Sequence, residues 1–250
     1  MTTTTTGPTR AKDASASGMS PTAINRAARL TGVLFLITYL TSIPAVPLYA
    51  PLNDADFILG AGSDTGVLLG AFLEILLILA NIGTAVTLFP VLKRQNETLA
   101  LGFVASRIME SVFIGVGVLS VLTTITLRGS HAGFGDGSLA TAGASLEALH
   151  DWTFALGPGF VVGVGNGLLL GYLMYRSGLV PRRLALLGLV GGSLIVISGT
   201  AVVFGVFDQL SPWSLAASVP EFVWELSLGI YLTVKGFRPC AITTHESVAA

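Results

Sequence analysis

Residues 99–127 form an apolar run long enough to cross a lipid bilayer, yet Arg107 and Glu110 lie inside it. An ionised group at mid-membrane costs on the order of 3 kcal/mol even on lenient insertion scales, so neither side chain can face acyl chains. Three residues apart on a helix, the two share a face and can pair. Ser106, Ser111 and Gly117 fall with them on an arc of about 140° at 100° per residue, and the rest of the circumference is apolar. Such a helix needs neighbours that present polar groups to it, which makes the chain a bundle.

Five more apolar stretches accompany it, at 30–50, 66–92, 152–175, 184–207 and 218–235. Only 11% of residues are charged and mean hydropathy is +0.78, whereas soluble domains carry about 25% charge. The expected fold is all-α, a membrane protein with six transmembrane helices over residues 26–238. Residues 1–25 are rich in Thr, Ser, Ala, Gly and Pro and cannot bury enough surface to offset chain entropy, so a disordered tail is expected there; 239–250 form a second tail. Arg26 and Arg29 before the first span imitate a secretory signal, but Pro51 directly after Ala50 argues against cleavage at that point. Pro44 and Pro47 should bend the outer half of the first helix. A glycine-rich connection with Gly129, Gly133, Gly135 and Gly137 leads to a short surface helix expected at 141–150. The last span is expected to begin at a capping box, Ser218 with Glu221 and with Pro220 in the first turn, which casts Glu221 as a cap and not a ligand.

Eleven of the 13 basic residues lie in the N-terminal tail, at 93–94, at 176–183 and at 235–238, all on one side of a six-span bundle. The positive-inside rule then puts both termini of a multi-pass membrane protein in the cytoplasm.

Helical rise converts sequence distance into depth, since half a hydrocarbon core of about 15 Å corresponds to about ten residues. Asn81 lies 12 residues before Lys93, Glu110 lies 13 after Glu97, Asn166 lies 10 before Arg176 and Glu225 lies 10 before Lys235. All four reach the midplane, with Arg107 one turn nearer the basic side and Glu74, on the stripe of Asn81, nearer the other. Such a level can serve as an internal site. Glu110 and Glu225 would be the proton- or cation-linked carboxylates, Arg107 the charge that keeps Glu110 ionised, and Asn81 and Asn166 neutral ligands. The same residues could instead neutralise one another and glue the helices together. With one arginine for two midplane carboxylates, one carboxylate is expected to carry a proton. Gly159, Gly163, Gly167 and Gly171 form a ladder on the fourth span that admits a neighbouring backbone, either the Gly188 and Gly192 face of the fifth span or a second copy of the chain.

The three histidines, His131, His150 and His245, all lie outside the expected spans, so no haem, no intramembrane metal and no Ser-His dyad is expected. The single cysteine, Cys240, excludes an intrachain disulfide framework. Glu147 and His150 have the spacing of a di-iron half-motif but lack its second copy. No nucleophile, base and metal constellation is visible, so neither an enzyme nor a cofactor is expected.

The segments RLTGVLFLITYLTSIPAVPL, RIMESVFIGVGVLS, LVPRRLALLGLVGG and PEFVWELSLGIYLTVKGF resemble bacterial six-helix membrane proteins grouped as domain of unknown function four-three-eight-six, over about residues 26–237. The resemblance implies an integral, plasma-membrane protein and brings no catalytic residues. Two functional expectations stand together. One is small-solute binding or proton-linked transport at the midplane; the other is a non-catalytic scaffold or partner subunit assembling through the glycine ladder. Expected partners are the bilayer, a small solute or proton and a second copy of the chain, with no nucleic acid.

Overall fold

In the computed structural model, which describes residues 19–129 and 135–243, the chain is helical and, among the described residues, holds no strand. Helix α1 (Pro21–Leu48) is followed by a short 3-10 turn (Ala50–Asn53), α2 (Asp64–Leu92) and α3 (Glu97–Arg128). Helix α4 (Asp136–Leu156) then runs through π-helical segments Gly157–Val161 and Gly163–Leu170 into α5 (Gly171–Ser177). Helices α6 (Arg182–Val203) and α7 (Pro212–Lys235) complete the chain. Taking α4 to α5 as one span, six helical spans are long and apolar enough to cross a membrane, as befits a multi-pass membrane protein.

The helix starts follow from capping chemistry. Ser20 Oγ accepts from Ala23 N at 3.2 Å, Asn96 Oδ1 from Leu99 N at 2.9 Å and Ser211 Oγ from Ser214 N at 3.3 Å, each meeting a backbone donor that the first turn leaves unpaired. Pro21 and Pro212 sit directly after two of these caps, where a missing N–H costs nothing.

Successive spans pack on one another and α7 closes on α1, so the six form an up-and-down ring in chain order. Near the basic ends, Gly32 lets α1 and α7 touch: a Cβ there would lie 2.7 Å from the Gly229 carbonyl oxygen. Leu88, Leu92, Phe103, Leu173, Leu228 and Leu232 fill the ring at that end. A smaller cluster, including Tyr49, Val67, Leu77, Ile114 and Val118, fills part of the opposite, acidic end.

At the acidic end Arg128 staples the α1–α2 connection to α3. Its guanidinium donates to the carbonyls of Phe57, Ala61 (2.6 Å), Gly60 (3.1 Å) and Gly62 (2.6 Å), and its Nε meets Asp64 at 2.6 Å. Gly60 and Gly62 adopt positive φ of 113° and 74°, the left-handed turn that points these carbonyls at one donor group.

Several boundaries differ from the sequence expectation. Helix α1 begins at Pro21, inside the expected tail, because Ser20 and Pro21 together make a strong start signal. The expected surface helix at 141–150 is not separate but part of α4, which starts at Asp136 and runs unbroken into the fourth span. The fifth span ends at Val203, four residues short of 207, and the sixth starts at Pro212, six residues before 218. There Ser211–Pro212 outcompetes the capping box: Ser218 Oγ donates back to the Ser214 carbonyl at 2.9 Å, and Glu221 lies mid-helix. Part of the second tail packs on the basic end, where Arg94 donates to the Ile242 carbonyl at 3.2 Å. The expected disorder of 1–18, and His131, Gly133 and His245, lie outside the described residues.

Candidate functional site

Asn81 of α2 and Arg107 and Glu110 of α3 form a closed hydrogen-bonded ring. Arg107 Nη1 donates to Glu110 Oε2 at 2.8 Å, Arg107 Nη2 to Asn81 Oδ1 at 2.5 Å, and Asn81 Nδ2 to Glu110 Oε1 at 3.1 Å. All three are buried, Arg107 to 2% exposure, and its guanidinium carbon lies 5.7 Å from the centre of the Phe35 ring on α1. Both carboxylate oxygens of Glu110 are thereby occupied, and charge and counter-charge cancel locally.

A second polar group faces it from α7. Asn166 Nδ2 donates to Glu225 Oε1, and the Asn166 carbonyl accepts from Trp224 Nε1 at 3.1 Å. Asn166 lies within the π-helical segment of the fourth span, where Pro158 removes a backbone donor and the surrounding glycines tolerate the wider turn. Glu221, one turn before Glu225 on α7, is 2% exposed, and neither of its carboxylate oxygens has a hydrogen-bond partner. Room for it comes from glycines: a Cβ at Gly167 or Gly191 would lie 2.8 or 2.7 Å from Glu221 Oε2.

A cavity of about 420 Å³ separates the two groups. Arg107, Asn81 and Glu110 line one side, Glu221 and Glu225 another, and Tyr39, Ser42, Ser198, Ser214 and Gln209 add polar atoms between. Each of the six spans contributes. Toward the acidic end the lining residues Val46, Leu210 and Leu215 are exposed, at 60%, 74% and 54%, so the cavity widens there. Its basic end abuts the buried leucine and phenylalanine cluster described above, which includes Trp224 and Leu228 beside Glu225.

Of the residues expected to meet at the midplane, Asn81, Arg107, Glu110 and Glu225 share this cavity, and Asn166 touches it through Glu225. They form two separate clusters instead of one five-membered site. Glu74 sits at the wall with its carboxylate accepting from Tyr49 Oη at 2.8 Å. Glu221 is a correction: it is a buried, unpartnered cavity residue and no cap. A signal for it was present, since Glu221 and Glu225 are four apart and share a helix face within an apolar stretch. Tyr39 and Gln209 carried no such signal.

The glycine ladder packs inward. Carbon atoms at Gly163, Gly171 and Gly199 would lie 2.9 Å from the Gly192 carbonyl oxygen, 3.2 Å from Leu189 N and 2.9 Å from the Gly159 carbonyl oxygen. The ladder is thus covered by α6, close enough that side chains would not fit.

The family model described as Domain of unknown function (DUF4386) matches residues 30–236. The chain belongs to the DUF4386 family. Every residue lining the cavity falls within the DUF4386 match. No curated protein and no solved structure matches the chain.

Proposed function

We propose that this chain binds a small solute in the central cavity and moves it across the plasma membrane in a proton-linked step, with both termini cytoplasmic and without acting as an enzyme. The carrying observation is the cavity of about 420 Å³, within the size range of small-molecule sites, which every span lines and to which every span but the fourth adds polar side chains, while its mouth faces the acidic end. Buried carboxylates lining a membrane cavity are the groups that proton-coupled carriers use to exchange charge with a solute. The distribution of Lys and Arg supports cytoplasmic termini and so an outward-facing mouth. A scaffold built on the glycine ladder is disfavoured, because α6 already occupies that face.

The test uses the full chain in liposomes containing pyranine, a dye that reports lumenal pH, challenged with a mixture of small organic solutes. The expected result is a solute-dependent pH change that is lost when Glu221→Gln and Glu225→Gln are combined in a protein that still folds. A pH trace indifferent to added solute in the wild type would overturn proton-linked transport.

A further inference from the structure

We infer that the cavity is built for an organic monocation, an ammonium or amidinium group carried on an apolar body. This deepens the solute-binding reading and rests on it.

The charges around the cavity do not balance. Four carboxylates line the cavity, those of Glu74, Glu110, Glu221 and Glu225, against one guanidinium, Arg107. Arg107 is committed to Glu110, so the protein supplies no cation for the α7 pair. Two carboxylates one helical turn apart in a low-dielectric wall need a positive partner or a proton. Glu221 points the same way. It is 2% exposed, and both its oxygens lack a donor. Buried polar atoms are otherwise almost always hydrogen-bonded; Arg107 Nε and Asn166 Oδ1 are also unpartnered, but Glu221 is the acid with both oxygens unmet, and these are the acceptors that a donor from outside the protein would meet. An anion would meet the carboxylates of the α7 wall, and on the opposite wall only Arg107 Nε is left without a partner, its Nη1 and Nη2 being held by Glu110 and Asn81.

Size and lining decide between an organic cation and a bare ion. A cavity of about 420 Å³ far exceeds the roughly 30 Å³ of one water, and an inorganic monovalent ion would leave it largely unfilled. Among the described residues no three acidic, histidine or cysteine side chains converge to cage a metal. The wall beside Glu221 and Glu225 carries Tyr39 and Phe222, whose rings meet edge to face at 4.9 Å. Tyr39 Oη is already donated to the Phe222 carbonyl at 2.6 Å, which leaves the rings to serve as an apolar and cation-attracting surface. Leu215 and Ile195 extend that apolar lining.

The experiment measures binding calorimetrically on the purified full chain in nanodiscs, with three probes of similar shape: 2-phenylethylammonium, 3-phenylpropan-1-ol and 3-phenylpropionate. The ammonium should bind at least about tenfold more tightly than the other two, as expected for one buried charge pair. Glu221→Gln should weaken it about tenfold or more, whereas Asp151→Asn, an exposed acid outside the cavity, should leave it unchanged. The wild-type ranking of the three probes needs no variant to fold. If the alcohol or the carboxylate binds as well as the ammonium, the charge class is overturned while solute binding stands. Displacement of the ammonium by sodium at equal concentration also overturns it, in favour of an inorganic ion. If none of the three binds, the inference falls, and the pyranine assay with the wider solute mixture separately decides whether the transport reading falls with it.

Discussion

The two walls of the cavity place glutamates in opposite circumstances. On the α2–α3 wall, each oxygen of Glu110 accepts a hydrogen bond, from Arg107 at 2.8 Å and Asn81 at 3.1 Å, in a closed ring. On the α7 wall, Glu221 is equally buried and holds no hydrogen bond, while Glu225 shares one oxygen with Asn166. The first arrangement resembles the interhelical polar contacts that hold membrane bundles together. The second costs stability unless something else enters, and tolerating that cost is what a binding group requires. Burial alone therefore does not separate a structural carboxylate from a functional one; the number of partners does.

The contrast can be broken experimentally. Arg107→Leu should have the largest effect, lowering unfolding free energy in detergent by about 3–5 kcal/mol, because it strands a buried carboxylate and an amide together. Thermal unfolding by circular dichroism reads this directly, and a loss much under that range would mean the ring contributes little. Gly167→Ala comes next, at about 1–3 kcal/mol, since the new methyl would press on the Gly192 backbone and on the Glu221 carboxylate. Combining it with Glu221→Ala, which removes the carboxylate that the methyl would press on, sharpens the comparison: if the strain arises at that side chain, the two effects will not add, and if it arises at the α6 backbone they will. The smallest effect is the most telling. Glu110→Gln should cost about 1–3 kcal/mol by leaving Arg107 short of an acceptor. Glu221→Gln should change stability by less than about 1 kcal/mol in the absence of ligand, because no hydrogen bond is lost. Equal destabilisation by the two substitutions would erase the distinction between the walls.

The residues that were legible beforehand share a property. Arg107, Glu110, Asn81, Asn166 and Glu225 are polar groups deep inside long apolar runs, and counting helical rise from the basic ends places them at one level. Glu221 was hidden by a local coincidence: Ser218 three residues ahead and Pro220 directly before it imitate a helix start. The chain starts that helix six residues earlier at Ser211 and Pro212, and the shift carries Glu221 from the expected rim into the interior. In the fourth span Pro158 stands between two glycines, a pattern that ordinarily breaks a helix, yet the helix widens without breaking and so keeps Asn166 within reach of Glu225.

What the amino-acid sequence determined unaided is the membrane-spanning, all-helical character, the number of spans and the need for an interior that takes two charges. These follow from transfer energies and helical periodicity, which depend only on which residues are neighbours along the chain. Tertiary structure alone decided which carboxylate is saturated and which is bare, that the glycine ladder is consumed by α6, and that a cavity lies between α3 and α7. Those outcomes depend on the rotation of each helix about its axis and on how closely small residues let two backbones approach, quantities set by the packing of all six spans at once.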